Sequence, residues 1–149
     1  AATAVAGELA RLAASGTPRT ARARFSDAEL VALIPVTYSS RGVELPWFGL
    51  RPEFVRDHLR GRFPAGATVI LMGCDGLRST TLGSAFLDRG AASFVSWDRP
   101  VSAGHTDEAA LRWIELVAGG GRTPSEAVAE TLSELGPDPD SGAVLRALP

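Results

Sequence analysis

The one cysteine of this 149-residue chain, Cys74, stands at the tip of its most strand-like run. Thr68-Val69-Ile70-Leu71-Met72 is apolar and β-prone, Gly73-Cys74-Asp75-Gly76 interrupts it, and Arg78-Ser79-Thr80-Thr81 leads into a helical pattern at Leu82, Ala85 and Phe86. The order predicts a buried strand, a glycine-flanked tip and a helix start. A thiol there lies outside the carboxyl end of a strand, where open α/β sheets place ligands. The field of the following helix N-terminus favours a thiolate. Two readings are open: a nucleophile, or a small apolar residue held in a tight turn.

A cysteine nucleophile needs access, a base and oxyanion donors. Gly73 and Gly76 leave backbone N–H groups unshielded, which suits an oxyanion hole. The chain has two histidines. His58 falls on a helix ahead of the strand and is expected to face solvent. His105 lies in Val101-Ser102-Ala103-Gly104-His105-Thr106-Asp107, after a second strand. Both it and Cys74 follow carboxyl ends of parallel strands, so they share one sheet edge. His105 either acts on the thiol or substrate, or simply begins a helix. Asp98 and Asp107 flank the same loop, either to bind a basic group or to cap and solvate it. There is no Gly-x-Ser-x-Gly elbow, no His-Glu-x-x-His and no Cys-x-x-Cys.

The elements that position these residues follow from periodicity and punctuation. Residues 2–14 predict an Ala-rich helix with Val5, Leu9 and Leu12 on one face, and 15–24 a Gly/Pro/Arg linker. Ser26-Asp27-Ala28-Glu29 is a capping box that opens a short helix through Leu30, Leu33 and Ile34, stopped by Pro35. A strand over 30–37 is the alternative. Tyr38 to Leu50 reads as a loop whose Trp47 and Phe48 plug a core edge. Pro52 starts a helix with Phe54, Val55 and Leu59 on its apolar side. Helix 80–89 ends at Gly90, and Ala92-Ser93-Phe94-Val95-Ser96-Trp97 is the second strand. Thr106 caps a helix carrying Leu111, Ile114 and Val117, closed by Gly119-Gly120-Gly121. Thr123-Pro124-Ser125-Glu126 is a further capping box, opening a helix through Val128 and Leu132 to Leu135. A short final strand is expected over 143–148. From 68 to 118 the pattern is β-α-β-α, hence parallel strands with a crossover.

Two parallel strands cannot form an independent sheet, and a parallel sheet must be covered on both faces. The expectation is that further strands lie upstream of this chain or come from a second polypeptide. The chain opens without Met or a basic n-region, which reads as a processed or trimmed start. Length favours one domain over 1–149, with the helix and linker at 1–24 and the core over 25–149. Composition is that of a globular protein, 45% hydrophobic and 21% charged. The net charge of −2 offers no electrostatic case for nucleic acid. A single cysteine excludes an internal disulfide and a multi-cysteine metal site, and no cofactor is called for. No apolar run approaches the ~20 residues of a membrane span. The compartment stays open between a secreted or cell-envelope setting and the cytoplasm.

Val69-Ile70-Leu71-Met72-Gly73-Cys74-Asp75-Gly76, Ala85-Phe86-Leu87, Arg89-Gly90-Ala91, Val95-Ser96-Trp97 and Val101 together resemble the caspase-like cysteine peptidases. That group includes caspases, legumain, clostripain, gingipain, separase and CHAT domains, and the likeness spans about residues 66–134. The longer string from Phe48 to Pro139 is similar to prokaryotic caspase-like proteins. The resemblance implies an α/β caspase-hemoglobinase fold, a three-layer sandwich on a mostly parallel sheet, incomplete here at its N-terminal side. It implies Cys74 as nucleophile on a peptide or protein substrate, with Gly76 and neighbouring amides holding the oxyanion; His105 is a candidate catalytic residue only by its place on the same sheet edge. Trp97, matching the tryptophan that ends the family's next strand, is a candidate for substrate binding, and either Asp98 or Asp107 falls near the place where an acidic residue receives a basic side chain in some relatives. The family's base is a His before Gly or Ser. Ser39-Ser40-Arg41-Gly42 carries Arg in that place, and arginine does not act as a base at neutral pH. The base is therefore expected upstream. The alternative is a non-catalytic caspase-like module within a larger protein or assembly.

Overall fold

The computed structural model describes residues 33–40 and 43–149, with side chains described from Gly49 onward. The predicted helix 2–14, the linker 15–24, the capping box Ser26–Glu29 and the side chains of Trp47 and Phe48 lie outside the described residues. The chain divides into two compact units, Ala1–Leu59 and Arg60–Pro149.

In the first unit, β1 (Leu33–Ser40) and β2 (Val43–Leu50) pair antiparallel, from Leu33 opposite Leu50 to Ser40 opposite Val43. This corrects two expectations. Leu33 and Ile34 are strand rather than helix, in line with the alternative strand over 30–37, and 43–50 is a strand rather than a loop. The prolines that suggested otherwise, Pro35 and Pro46, sit opposite Phe48 and Thr37. A two-stranded ladder leaves each strand one edge with no hydrogen bonds to lose, so proline is tolerated there. After Pro52, a single wide helical turn, Phe54–His58, closes on the Leu59 N–H to Phe54 carbonyl bond of 3.1 Å. Phe54 and Val55 are its buried residues, as the sequence predicts.

The second unit holds a mixed sheet in the order β3-β4-β5, with helices α1 (Thr81–Asp88), α2 (Ala103–Ala118) and α3 (Pro124–Leu135). β3 (Thr68–Leu71) and β4 (Ser93–Trp97) run parallel, with Ile70 opposite Val95. β5 (Leu145–Leu148) joins β4 antiparallel, with Leu145 opposite Trp97. The third strand thus comes from the C-terminal side of the chain, and the sheet is mixed rather than mostly parallel.

Alternation along β4 divides the core. Val95 and Trp97 pack with Ala109, Trp113 and Leu116 of α2, Ala127 and Val128 of α3, and Leu145. Phe94 points the other way and stacks on Phe86 of α1, ring centroids 5.4 Å apart. A Cβ at Gly83 would come within 2.6 Å of Leu148 and 2.9 Å of Phe94, so α1 lies directly on the sheet only because residue 83 is glycine. Both faces of β4 are covered, and all five of its residues are buried, as a central strand requires.

α2 departs from its expected pattern. It begins at Ala103, so Thr106 is a buried residue inside the helix rather than its cap. Its core face is Thr106, Ala109, Trp113 and Leu116, whereas the expected Leu111 and Ile114 are 66% and 48% exposed. α3 opens on the predicted capping box: the Glu126 N–H donates to Thr123 Oγ1 (3.3 Å), and the Thr123 N–H donates to Glu126 Oε2 (2.9 Å). Arg112 of α2 braces the helix pair, its Nε and Nη2 each 2.6 Å from a carboxylate oxygen of Glu134.

Candidate functional site

Cys74 is exposed, three residues beyond the end of β3. Asp75 follows with φ of 62°, the one non-glycine residue with positive φ among those described. Aspartate tolerates that left-handed conformation better than most side chains. The turn is tied to the continuation of β4: the Asp75 N–H donates to the Arg99 carbonyl (3.3 Å), and the Leu77 N–H to that of Trp97 (2.8 Å). The amides of Cys74 and Gly76 have no hydrogen-bond partner among the described residues.

The thiol's polar neighbours are backbone groups of Val101. The Val101 N–H donates to Sγ at 3.5 Å, and the S–H faces the Val101 carbonyl at 3.7 Å. The loop after β4 therefore forms one wall of the thiol's seat.

That loop is itself anchored by a residue that the sequence reading missed. Asp138 is 1% exposed and has no cationic partner among the described residues. Its Oδ2 accepts from the Ser102 N–H (2.9 Å) and hydroxyl (2.6 Å). Its Oδ1 accepts from the Asp140 N–H (3.0 Å), the Ser141 N–H (2.8 Å) and the Ser141 hydroxyl (3.0 Å). The Ser102 hydroxyl contact first, and then the amide donors, outweigh burial and hold this carboxyl well below the ordinary range. Asp138 thereby joins the 138–142 turn to the start of α2. The available signal was Gly136-Pro137-Asp138-Pro139-Asp140-Ser141-Gly142, which has the composition of an Asx turn; the partner at Ser102 is distant in sequence.

The other expected site residues take separate places. Gly76 is buried, and a Cβ there would lie 2.1 Å from Ser96 Oγ. Close packing on β4 thus requires a glycine here, while its N–H is without a partner among the described residues. Trp97 is fully buried, with Nε1 donating to Thr106 Oγ1 at 2.9 Å, so its indole is a core group rather than a substrate surface. His105 packs its ring 5.3 Å from that of Trp97, and its Nε2 is enclosed without a partner. It makes no hydrogen bond to Cys74. His58 is half-buried rather than fully open, its ring 5.8 Å from Phe54. Asp107 is exposed on α2.

Asp98, 11% exposed at its side chain, is already engaged. Its Oδ1 accepts from the Val144 N–H (3.0 Å), its Oδ2 pairs with Arg146 Nε (2.9 Å), and Arg99 lies 3.5 Å away. Burial alone would raise its pKa, but the Val144 amide and the two guanidiniums prevail and lower it. Asp98 therefore pins β5 beside β4 and does not offer a free carboxylate to a basic ligand. Among the described residues no group of three His, Cys, Asp or Glu side chains could hold a metal ion, and no helix is long and apolar enough to cross a membrane. The chain's matches to known proteins are nil: no family model, no curated protein and no solved structure.

Proposed function

We propose that this chain is the nucleophile-bearing part of a cysteine peptidase of the caspase-like type, with Cys74 as the attacking residue. The observation that carries the reading is the seat of the thiol: exposed, beyond the carboxyl end of a strand, receiving the Val101 N–H and flanked by two unpartnered amides. In the reaction, Sγ attacks the scissile carbonyl carbon and the oxyanion is held by the Cys74 amide. The C–N bond then breaks as the leaving amine takes a proton, and water releases the acyl group from sulfur. The acid–base partner is a histidine other than His58 and His105, supplied from outside this sequence. The sheet with helices on both faces is compatible with a caspase-hemoglobinase fold.

A second reading, a non-catalytic module of the same type, is favoured by one observation: His105 packs at a tilt against Trp97 and makes no hydrogen bond to the thiol. A pooled peptide substrate followed by mass spectrometry separates the two. Peptidase activity lost in Cys74→Ala supports the first. Cleavage that persists in Cys74→Ala, or no cleavage by the wild-type chain together with no adduct at Cys74 from a peptidyl electrophile, supports the module.

A further inference from the structure

On the α1 side of the sheet a cleft of about 600 Å³ opens between the segment leaving the cysteine tip and the β5 edge. Its walls are Leu77, Arg78, Thr80, Asp98, Arg146 and the Ala147–Leu148 pair; Cys74 does not line it. The volume lies within the roughly 300–1,000 Å³ of small-molecule sites.

The charges in the cleft are unequally satisfied. Asp98 is fully engaged, by Val144, Arg146 and Arg99. Arg146 spends only its Nε on Asp98, so its two terminal nitrogens make no hydrogen bond among the described residues. Holding the guanidinium by Nε orients those nitrogens without neutralising all of their donors. Arg78 is 78% exposed at its side chain and has only a long contact to Asp75, at 3.9 Å. In and beside the cleft stand three guanidiniums (Arg78, Arg99, Arg146) and two carboxylates: Asp98 is paired, and Asp75 lies beside the cleft with its Oδ1 making no hydrogen bond among the described residues and 3.9 Å from Arg78 Nη1. The Thr80 hydroxyl makes no cap bond to α1 and stands beside the helix start. Leu77, Ala147 and Leu148 supply an apolar floor.

From this arrangement we infer that the cleft binds a small oxyanion, a carboxylate or phosphate group carried on an apolar body. The forked donors of Arg78 and Arg146 take the oxygens, and Leu77 and Leu148 meet the body. The site is independent of Cys74 and of any peptidase activity.

Amide NMR of the full ¹⁵N-labelled chain tests it, with hexanoate, phenyl phosphate, inorganic phosphate and hexylammonium as probes. Hexanoate or phenyl phosphate produces saturable shifts at Arg78, Thr80, Ala147 and Leu148, with a millimolar dissociation constant; whichever binds tighter identifies the preferred oxyanion. Inorganic phosphate binds more weakly than phenyl phosphate, and hexylammonium moves none of these signals. Arg78→Gln, at an exposed position, leaves the rest of the spectrum unchanged and weakens the organic anion about 2–5-fold, as for an exposed ion pair. Shifts that do not saturate, equal shifts from hexylammonium, inorganic phosphate binding as tightly as phenyl phosphate, or an affinity unchanged in Arg78→Gln would overturn the inference.

Discussion

Replacing Gly76 by alanine would place a Cβ 2.1 Å from Ser96 Oγ and 2.9 Å from both Ser96 Cβ and Leu71 Cδ2. The 39%-exposed Leu71 side chain can turn away, but Ser96 cannot. Ser96 is fully buried on the central strand, and its hydroxyl donates to the Leu71 carbonyl at 2.6 Å. Overpacking of this kind costs about 1–3 kcal/mol. Displacing the serine hydroxyl forfeits a hydrogen bond of about 1 kcal/mol. The sum is a loss of about 2–4 kcal/mol. With a urea m-value of about 1–3 kcal/mol/M, the unfolding midpoint falls by roughly 1 M or more. Gly73 is the control: a Cβ there meets nothing within 4 Å and its φ is not positive, so Gly73→Ala stays within about 0.5 kcal/mol of wild type. Removing the obstructing side chain should also relieve the clash. Gly76→Ala therefore costs less in a Ser96→Gly background, with a coupling of about 0.5–3 kcal/mol. A Gly76→Ala midpoint equal to wild type, or a cost undiminished in Ser96→Gly, would refute the close approach of the tip to β4.

Trp113→Ala loses about 3–5 kcal/mol by urea unfolding, as befits a residue 5% exposed in the core cluster, whereas Leu111→Gln, at a 66%-exposed position of the same helix, changes stability by less than about 0.5 kcal/mol. Asp138→Asn lowers stability at neutral pH and flattens the acid limb. The native pKa of Asp138 is depressed, so its contribution is fully present above the unfolded value near 3.9 and is lost as pH falls through the lower native value. Urea midpoints from pH 7 down to pH 2 should therefore fall less steeply below about pH 4 in the variant. Thr123→Ala, which removes the capping-box hydroxyl of α3, costs about 1 kcal/mol in the same assay.

Local signals were legible wherever the partner lay close in sequence. The runs that became β3 and β4 are bounded by Gly66, Gly73 and Gly90, and the Thr123–Glu126 capping box reads directly because both of its bonds close within four residues. The hairpin of β1 and β2 was only partly legible: a strand over 30–37 stood as the alternative to a helix, but Pro46 and Gly49 are residues that usually break strands, and only the pairing across the ladder shows a second edge strand over Val43–Leu50. The face of α2 was misjudged because Leu111 and Ile114 satisfy helical spacing as well as Trp113 and Leu116 do. Only the position of β4 decides which stripe is buried. The strand tip and its exposed thiol were foreseen. The wall supplied by Val101, the anchor at Asp138 and the occupation of Asp98 by Arg146 were not, since they join residues 27 to 48 positions apart.

The nucleophilic role of Cys74 is tested most directly by its alkylation rate. The full chain is treated with iodoacetamide at neutral pH, adduct growth is followed by intact mass, and a free-thiol peptide serves as reference. An activated thiol in this seat is alkylated at least about tenfold faster than the reference, since thiolate character and access control the rate. A rate no faster than that of the free thiol would contradict it.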